Sequence, residues 1–203
     1  MKSYTVKNTD DITRADTGAV MCWPWKGFEF QNECKFKISH TNDRFIVSLR
    51  TYEENPVARV TEKNGPVCND SCMEFFFSPS ADNSMGYFNF EVNSNPTYLF
   101  EYGLCGSDFH PSVDCSDEEL NVRSTKSKTE DGRDFWQVDF ELPYELIKRC
   151  APECDLSSGA VIRANVYKCG RTDQKEHYGS WNPVETERPN FHMPEFFGKF
   201  IIE

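Results

Sequence analysis

Apolar and polar residues alternate in one run after another along this chain, and that period of two is the feature that most restricts its fold. Phe45, Val47 and Leu49 alternate with Ile46, Ser48 and Arg50, and Phe88, Phe90 and Val92 with Tyr87, Asn89, Glu91 and Asn93. Trp136, Val138, Phe140 and Leu142 do the same with Gln137, Asp139 and Glu141, and Ile162, Ala164 and Val166 with Arg163, Asn165 and Tyr167. Each run predicts a strand with one buried face. Residues 73–77 (MEFFF) form a short apolar run that predicts a central strand, with Glu74 as its anomaly, and residues 199–203 predict a last strand. Helical signals are few: residues 144–149 after Pro143 predict a short helix with proline in its first turn, and residues 116–120 a single turn. The connectors 80–86 and 129–133 are rich in turn residues, and the second predicts a hairpin. No repeat, low-complexity tract or linker divides the 203 residues. The expectation is one domain, 1–203, folded as an all-β antiparallel sandwich, jelly-roll-like, with one or two short helices.

Charge narrows the partners. A formal net charge of −11 with no clustered Lys/Arg stripe argues against a nucleic-acid partner and against an anionic membrane surface. A mean hydropathy of −0.65 argues against membrane insertion, and no run approaches the roughly 18 apolar residues that a spanning helix needs. Nine cysteines, an odd number, follow an N-terminus with no apolar stretch, so reduced thiols and a cytoplasmic location are expected; a trimmed exported protein would read the same way. Cys68-x3-Cys72 and Cys150-x3-Cys154 share a spacing that could suit a four-thiolate zinc site. The intervening residues lack the usual glycine turn, and free cysteines commonly serve as small buried hydrophobes, so no metal is expected there.

The polar face of residues 87–93 is unusual for a solvated sheet. It reads Tyr, Asn, Glu, Asn, and the run near Ile162 adds Arg163, Asn165 and Tyr167. Amides, carboxylates and guanidinium groups pair with vicinal hydroxyls, which both donate and accept, while aromatic planes stack on the C–H faces of a sugar ring. A solvated face has the same composition, so the residues alone leave both readings open.

Residues 69–79 (NDSCMEFFFSP) and 87–93 (YFNFEVN) resemble the family 9 carbohydrate-binding modules, in particular their family 9-like branch. So do residues 165–170 (NVYKCG), 177–183 (HYGSWNP) and 189–198 (PNFHMPEFFG), and these matches run in order from about residue 40 to the C-terminus. The resemblance implies a β-sandwich and a pocket that clamps a sugar ring between two tryptophans. Carried over residue by residue, Trp181 matches one tryptophan, Glu74 a sugar-contacting carboxylate, and Asn165 a polar pocket position. Cys68 stands where the second tryptophan would be and Glu91 where the family has an arginine; Trp23 and Trp25 are candidates for the missing wall. The expected partner is a mono- or oligosaccharide, held by Trp181 as platform with Glu74, Asn165, Asn93, Glu91, Arg163 and Tyr167 around it. Because relatives of this kind occur beside catalytic modules, a separate catalytic chain is a further candidate partner.

Two other readings come from the same residues. A degenerate member would keep the sandwich as an interaction domain, and Glu74 with Glu91 could form the carboxylate pair of a glycoside hydrolase. No nucleophile elbow, phosphate loop or His-Glu-x-x-His motif is present, so a non-catalytic module without an organic cofactor is expected. Trp136 reads as core. His177 and His192 are conceivable metal ligands but read more simply as loop histidines. Some members of the family carry structural calcium, and Asp114, Asp117 and Glu118 are its candidate ligands, although solvated acidic loops of this composition are far more common.

Overall fold

Trp136, Val138, Phe140 and Leu142, the apolar half of the clearest alternation, are all 1% exposed or less and lie on the inner face of β9 (Asp134–Pro143). The structure is a computed structural model and describes residues 1–30, 32–107, 109–171 and 175–203. The other strands are β1 (Ser3–Asn8), β2 (Thr17–Ala19), β3 (Cys34–His40), β4 (Arg44–Thr51), β5 (Cys72–Ser78), β6 (Tyr87–Asn93), β7 (Tyr98–Gly103), β8 (Arg123–Lys128), β10 (Val161–Gly170), β11 (His177–Ser180) and β12 (Gly198–Ile202). The helices are α1 (Asp117–Leu120), capped by Ser116 and Glu119 in a reciprocal capping box, and α2 (Tyr144–Cys150). Pro143 falls at the cap before α2 rather than inside its first turn.

The strands run in the order β7-β6-β5-β10-β12-β1-β3-β4-β9-β8, with β11 beside β10 and β2 beside β3. β1 joins two halves: Ser3–Val6 pair with β12 and Lys7–Asn8 with β3. Both β1 pairings are parallel, whereas every other strand pair among the described residues is antiparallel. The antiparallel sandwich expected from the sequence is present, with the two β1 pairings as its parallel exceptions; alternation fixes which face a residue takes but not the direction of its neighbour. The two halves face each other across an aromatic core, where Phe90 of β6 stacks on Phe140 of β9 at 4.0 Å and Phe77 of β5 meets Phe45 of β4 edge-on at 6.2 Å. Each such ring contributes about 1.5–3 kcal/mol on burial. Among the described residues no helix is long and apolar enough to cross a membrane.

The other face of β5, β6 and β10 is covered too. Val184, Phe191 and Phe197, from the segment leading into β12, and Trp25 pack there with Phe76, Tyr87, Tyr167 and Tyr178 in a second aromatic cluster. β5 is therefore buried on both sides, which is why it reads as a nearly continuous apolar run. A buried polar chain crosses the core nearby. The Lys168 ammonium donates to Ser71 Oγ (2.8 Å) and the Cys169 carbonyl (2.9 Å), and lies 2.7 Å from His177 Nε2. Ser71 and the Trp136 indole both donate to Glu53 Oε2, at 2.6 and 2.8 Å.

Candidate functional site

Cross-strand register sets the polar residues of the covered face in rows. Tyr167 of β10 lies opposite Glu74 of β5, and Glu74 opposite Glu91 of β6. One row along, Asn165, Phe76, Asn89 and Glu101 stand side by side. The alternation thus gathers every candidate of residues 87–93 and 161–167 on one sheet face, but the covering segment divides them sharply in use.

Most are consumed by the fold. Asn165 is fully buried; its Oδ1 accepts from the backbone of Asn182 (2.9 Å) and Val166 (3.0 Å) and its Nδ2 donates to the Asn182 carbonyl, pinning the covering segment down. Arg163 donates to the carbonyls of Phe197 and Gly198. Asn93 ties Val60, Asp70 and the turn at Asn95 and Thr97 together. Tyr167 lies under Phe191, with ring centroids 4.1 Å apart. Trp181 is 6% exposed and belongs to the core between the sheets, set edge-on to Phe36 and Phe200. The platform expected at Trp181 is therefore corrected: the indole fills the sandwich and lines no part of the cleft that holds Glu74. Trp25 is buried against Tyr178 and Phe191, its indole bonded to the Thr186 carbonyl, and Trp23 packs over Gly179; neither supplies a cleft wall.

Glu74 and Glu91 are different. They head a cleft lined also by Cys68, Cys169, Arg171, Tyr178, Phe191 and His192, with a cavity of about 80 Å³ at the carboxylates. A wider hollow of about 560 Å³ adjoins it, lined by Tyr87, Glu101, Phe109 and His110, and the two share Asn190 and His192. The outer part falls within the roughly 300–1,000 Å³ usual for ligand sites; the inner part has room only for a small group. Phe109 offers its ring to the outer part and is 75% exposed. Sequence reasoning missed Arg171, Tyr178, Asn190, Phe191 and Phe109, all on loops or short edges without periodicity; the aromatic Asn190-Phe191-His192 run was their one visible signal.

The electrostatics of the inner part are set by burial. Glu74 is 2% and Glu91 4% exposed. Desolvation, then the neighbouring Cys169 and Glu91, push the Glu74 carboxyl well above the usual carboxylate range. Burial, then Glu101, push Glu91 up to about 7, against the lowering effect of Asn89 and Arg171. Cys169 Sγ donates to Glu74 Oε1 at 3.0 Å, while Glu91 Oε2 has no hydrogen-bond partner among the described residues. An unpartnered buried carboxylate oxygen is costly unless something meets it. Another hollow, of about 340 Å³ beside β3 and β4, lacks this character: its Lys37 and Arg50 are already bonded to Thr13 and Gln137.

A pH dependence follows. Unfolded, Glu91 titrates near 4.5; folded, near 7. Between those values the folded state holds a proton that the unfolded state has released, so its stabilising contribution is complete below about 4.5 and is lost as pH rises to about 7. Over that window stability should fall by roughly 1.4 kcal/mol per pH unit for this group. Glu91→Gln should remove this group's part of the slope, leaving that of Glu74, and be the more stable protein at pH 8 in urea titrations; equal slopes would show that Glu91 is not a contributing group.

The paired cysteine motifs do not converge. Cys150 and Cys154 pack at the end of α2 on the main core, while Cys68 and Cys72 lie in the second cluster. His177 stands on the Lys168 chain and His192 bonds the Tyr87 hydroxyl at 2.8 Å, so they form no joint metal site. Asp117 holds Lys63 and Tyr98, the Asp114 carbonyl takes Arg149, and Glu118 is exposed. Among the described residues, the one group of three or more His, Cys, Asp or Glu donors within 4.8 Å of each other is Cys72, Glu74 and Cys169.

Residues 5–202 match the family model described as carbohydrate-binding family 9. A solved structure from Bacteroides uniformis, of a protein proposed to bind carbohydrate, is 27% identical with a TM-score of 0.81, and the match covers 100% of this chain and 99% of that one. A family 9 carbohydrate-binding module from Caldicellulosiruptor kristjanssonii, solved in complex with glucose, is 12% identical with a TM-score of 0.64, covering 100% of this chain and 96% of that one. The same kind of module from that organism in complex with cellotriose gives 12% identity and a TM-score of 0.65, covering 100% and 94%. A search of curated proteins finds no match.

Proposed function

The chain belongs to carbohydrate-binding family 9, and from that premise we propose that it is a non-catalytic module that holds a mono- or oligosaccharide in the cleft headed by Glu74 and Glu91. The observation that carries the assignment is the buried, unpartnered Glu91 Oε2 beside Glu74, at the narrow end of a hollow that an exposed aromatic ring borders. A hydroxyl entering the inner part donates to Glu91 Oε2, which no group among the described residues satisfies. The ring itself lies in the outer part, where Phe109 offers an apolar face and Asn190, His192 and Glu101 offer polar edges. Glucose and cellotriose, the ligands of the Caldicellulosiruptor modules, are the natural first candidates. The wider reading is that of a glycan-end binder working in polysaccharide breakdown with a separate catalytic chain.

The burial of both carboxyls favours holding over hydrolysis. Glu74 and Glu91 are direct cross-strand neighbours on one floor, with Cβ atoms about 4.5–5.5 Å apart in such a pair. A glycosidase needs its two carboxyls flanking the scissile bond, one of them free to ionise. Two side-by-side acids held toward their neutral forms supply donors and acceptors for a hydroxyl instead.

Isothermal titration with glucose, xylose, cellobiose and xylobiose tests the proposal. Binding of at least one sugar, weakened about tenfold or more by Glu74→Gln, is expected. Phe109→Ala should weaken it by about tenfold as well, the worth of one stacking face of roughly 1–1.5 kcal/mol. No heat with any of these sugars would overturn the assignment of the cleft.

A further inference from the structure

The cysteines beside Glu74 take no part in the sugar reading. Cys72 and Cys169 are direct cross-strand partners on β5 and β10, and both point to the covered face with Glu74. Cys169 Sγ lies 3.0 Å from Glu74 Oε1 and Cys72 Sγ 4.0 Å from the same oxygen, and all three donor atoms fall within 4.8 Å of one another. All three residues are 2% exposed or less.

We infer that Cys72, Cys169 and Glu74 form a binding site for a borderline-soft divalent cation of the zinc class, with its fourth position turned toward the cleft.

Three observations carry this beyond a chance meeting of side chains. The spacing is the first: with Zn–S near 2.3 Å and Zn–O near 2.0–2.2 Å, tetrahedral ligand atoms stand roughly 3.5–3.8 Å apart, so the present separations need adjustments of about 1 Å or less. The donor chemistry is the second. Two thiols and one carboxylate are a zinc-type set; calcium and magnesium require oxygen shells, which three donors with two sulfurs cannot give. The third is the open side. Cys68, whose carbonyl lies 3.6 Å from Cys169 Sγ, and Glu91, whose buried Oε2 has no hydrogen-bond partner among the described residues, both line the cleft at this point. Neither belongs to the group of donors within 4.8 Å, so a water supplies the fourth ligand on this side.

Binding is balanced in protons. The cation replaces the thiol protons of Cys72 and Cys169 and the carboxyl proton of Glu74, so three protons leave and the site carries a net charge of −1 with the metal in place. Arg171 lines the same cleft and offsets that charge. Because the cation must displace these protons, affinity rises with pH.

The spacing motif of Cys68 and Cys72 therefore acquires a different partner from the one its twin spacing suggested. Strand register brings Cys169 to it; Cys150 and Cys154 stay elsewhere.

The experiment is titration of the reduced, metal-stripped full chain with Zn²⁺ and with Cd²⁺. One equivalent per chain, an ultraviolet cadmium–thiolate charge-transfer band and a raised melting temperature are expected. Cys72→Ser and Cys169→Ser should each lower zinc affinity by at least about tenfold, and Cys150→Ser should leave it unchanged. Substoichiometric uptake, no thiolate band, or affinity unaffected in both serine variants would overturn the inference. Should the serine variants fail to fold, X-ray absorption at the zinc edge of the loaded wild-type protein decides: two sulfurs near 2.3 Å support the site, and a shell of nitrogen and oxygen alone overturns it. Sugar titrations with and without zinc keep this result separate from the sugar reading, since either ligand can bind without the other.

Discussion

Trp181→Ala lowers the unfolding free energy by about 3–5 kcal/mol and leaves the sugar affinity of the folded protein unchanged to within about twofold. The expectation follows from where the ring sits. Its edge-on contacts with Phe36 at 5.9 Å and Phe200 at 5.1 Å tie the second sheet to the first. Gly198 leaves the space it fills: a Cβ there would stand 2.3 Å from the Trp181 ring. The Lys2 ammonium, bonded to the Trp181 carbonyl, lies 5.9 Å from the ring centroid and closes the remaining side. Truncation leaves a cavity that rigid neighbouring strands cannot collapse. Urea unfolding measures the first half of the prediction and calorimetric titration the second. A stable Trp181→Ala protein with sugar affinity reduced tenfold would return the indole to the binding site.

Lys168→Met comes next in size, with an expected loss of about 3–5 kcal/mol. Lys168 is fully buried on the core side of β10, and its ammonium meets Ser71, the Cys169 carbonyl and His177, with the Phe30 ring 4.7 Å away. Ser71 passes the interaction on to Glu53, which is 7% exposed and also receives the Trp136 indole. Methionine keeps the length of the side chain and removes the charge. What it strands is Glu53, a buried carboxylate then left with neutral donors only. The double variant Lys168→Met, Glu53→Gln should recover a large part of the loss, because replacing both members of a buried charged set costs far less than removing one. Additive losses in the double variant would show that the two ends are not coupled through Ser71.

Much of the fold is legible in the chain because strand alternation is a local property. Phe88, Phe90 and Val92 are all fully buried, and the strands predicted around 45–50, 73–77, 87–93, 136–142, 162–167 and 199–203 are all present. β1, β2, β3, β7 and β11 were not foreseen. In β1 and β3, Lys7, Lys35 and Lys37 interrupt the apolar pattern, and those lysines pair with acids or backbone carbonyls at the surface instead of breaking the strand.

The candidate site was legible only in part, and Asn165 and Glu91 show why. Both are polar, both alternate with buried apolar residues, and both face the same side of one sheet. Asn165 meets the backbone of Asn182 and becomes a clamp; Glu91 meets a gap and keeps an oxygen unpartnered. Nothing local to either residue distinguishes them. The difference lies in a covering segment some tens of residues later in the chain, and its path is fixed by long-range packing.

By itself, then, the sequence determined which side chains share a face, because a period of two is written into neighbouring residues and needs no partner to be read. Family resemblance added the kind of sandwich those faces build. Only the tertiary structure decided what covers each face. Burial by residues 182–197 turned an apparently solvated polar row into clamps, a cleft and a pair of thiols, and sent Trp181 into the core. The physical reason is that a polar group's role depends on whether water, a protein partner or neither satisfies it, and that is settled by chain segments far away in sequence.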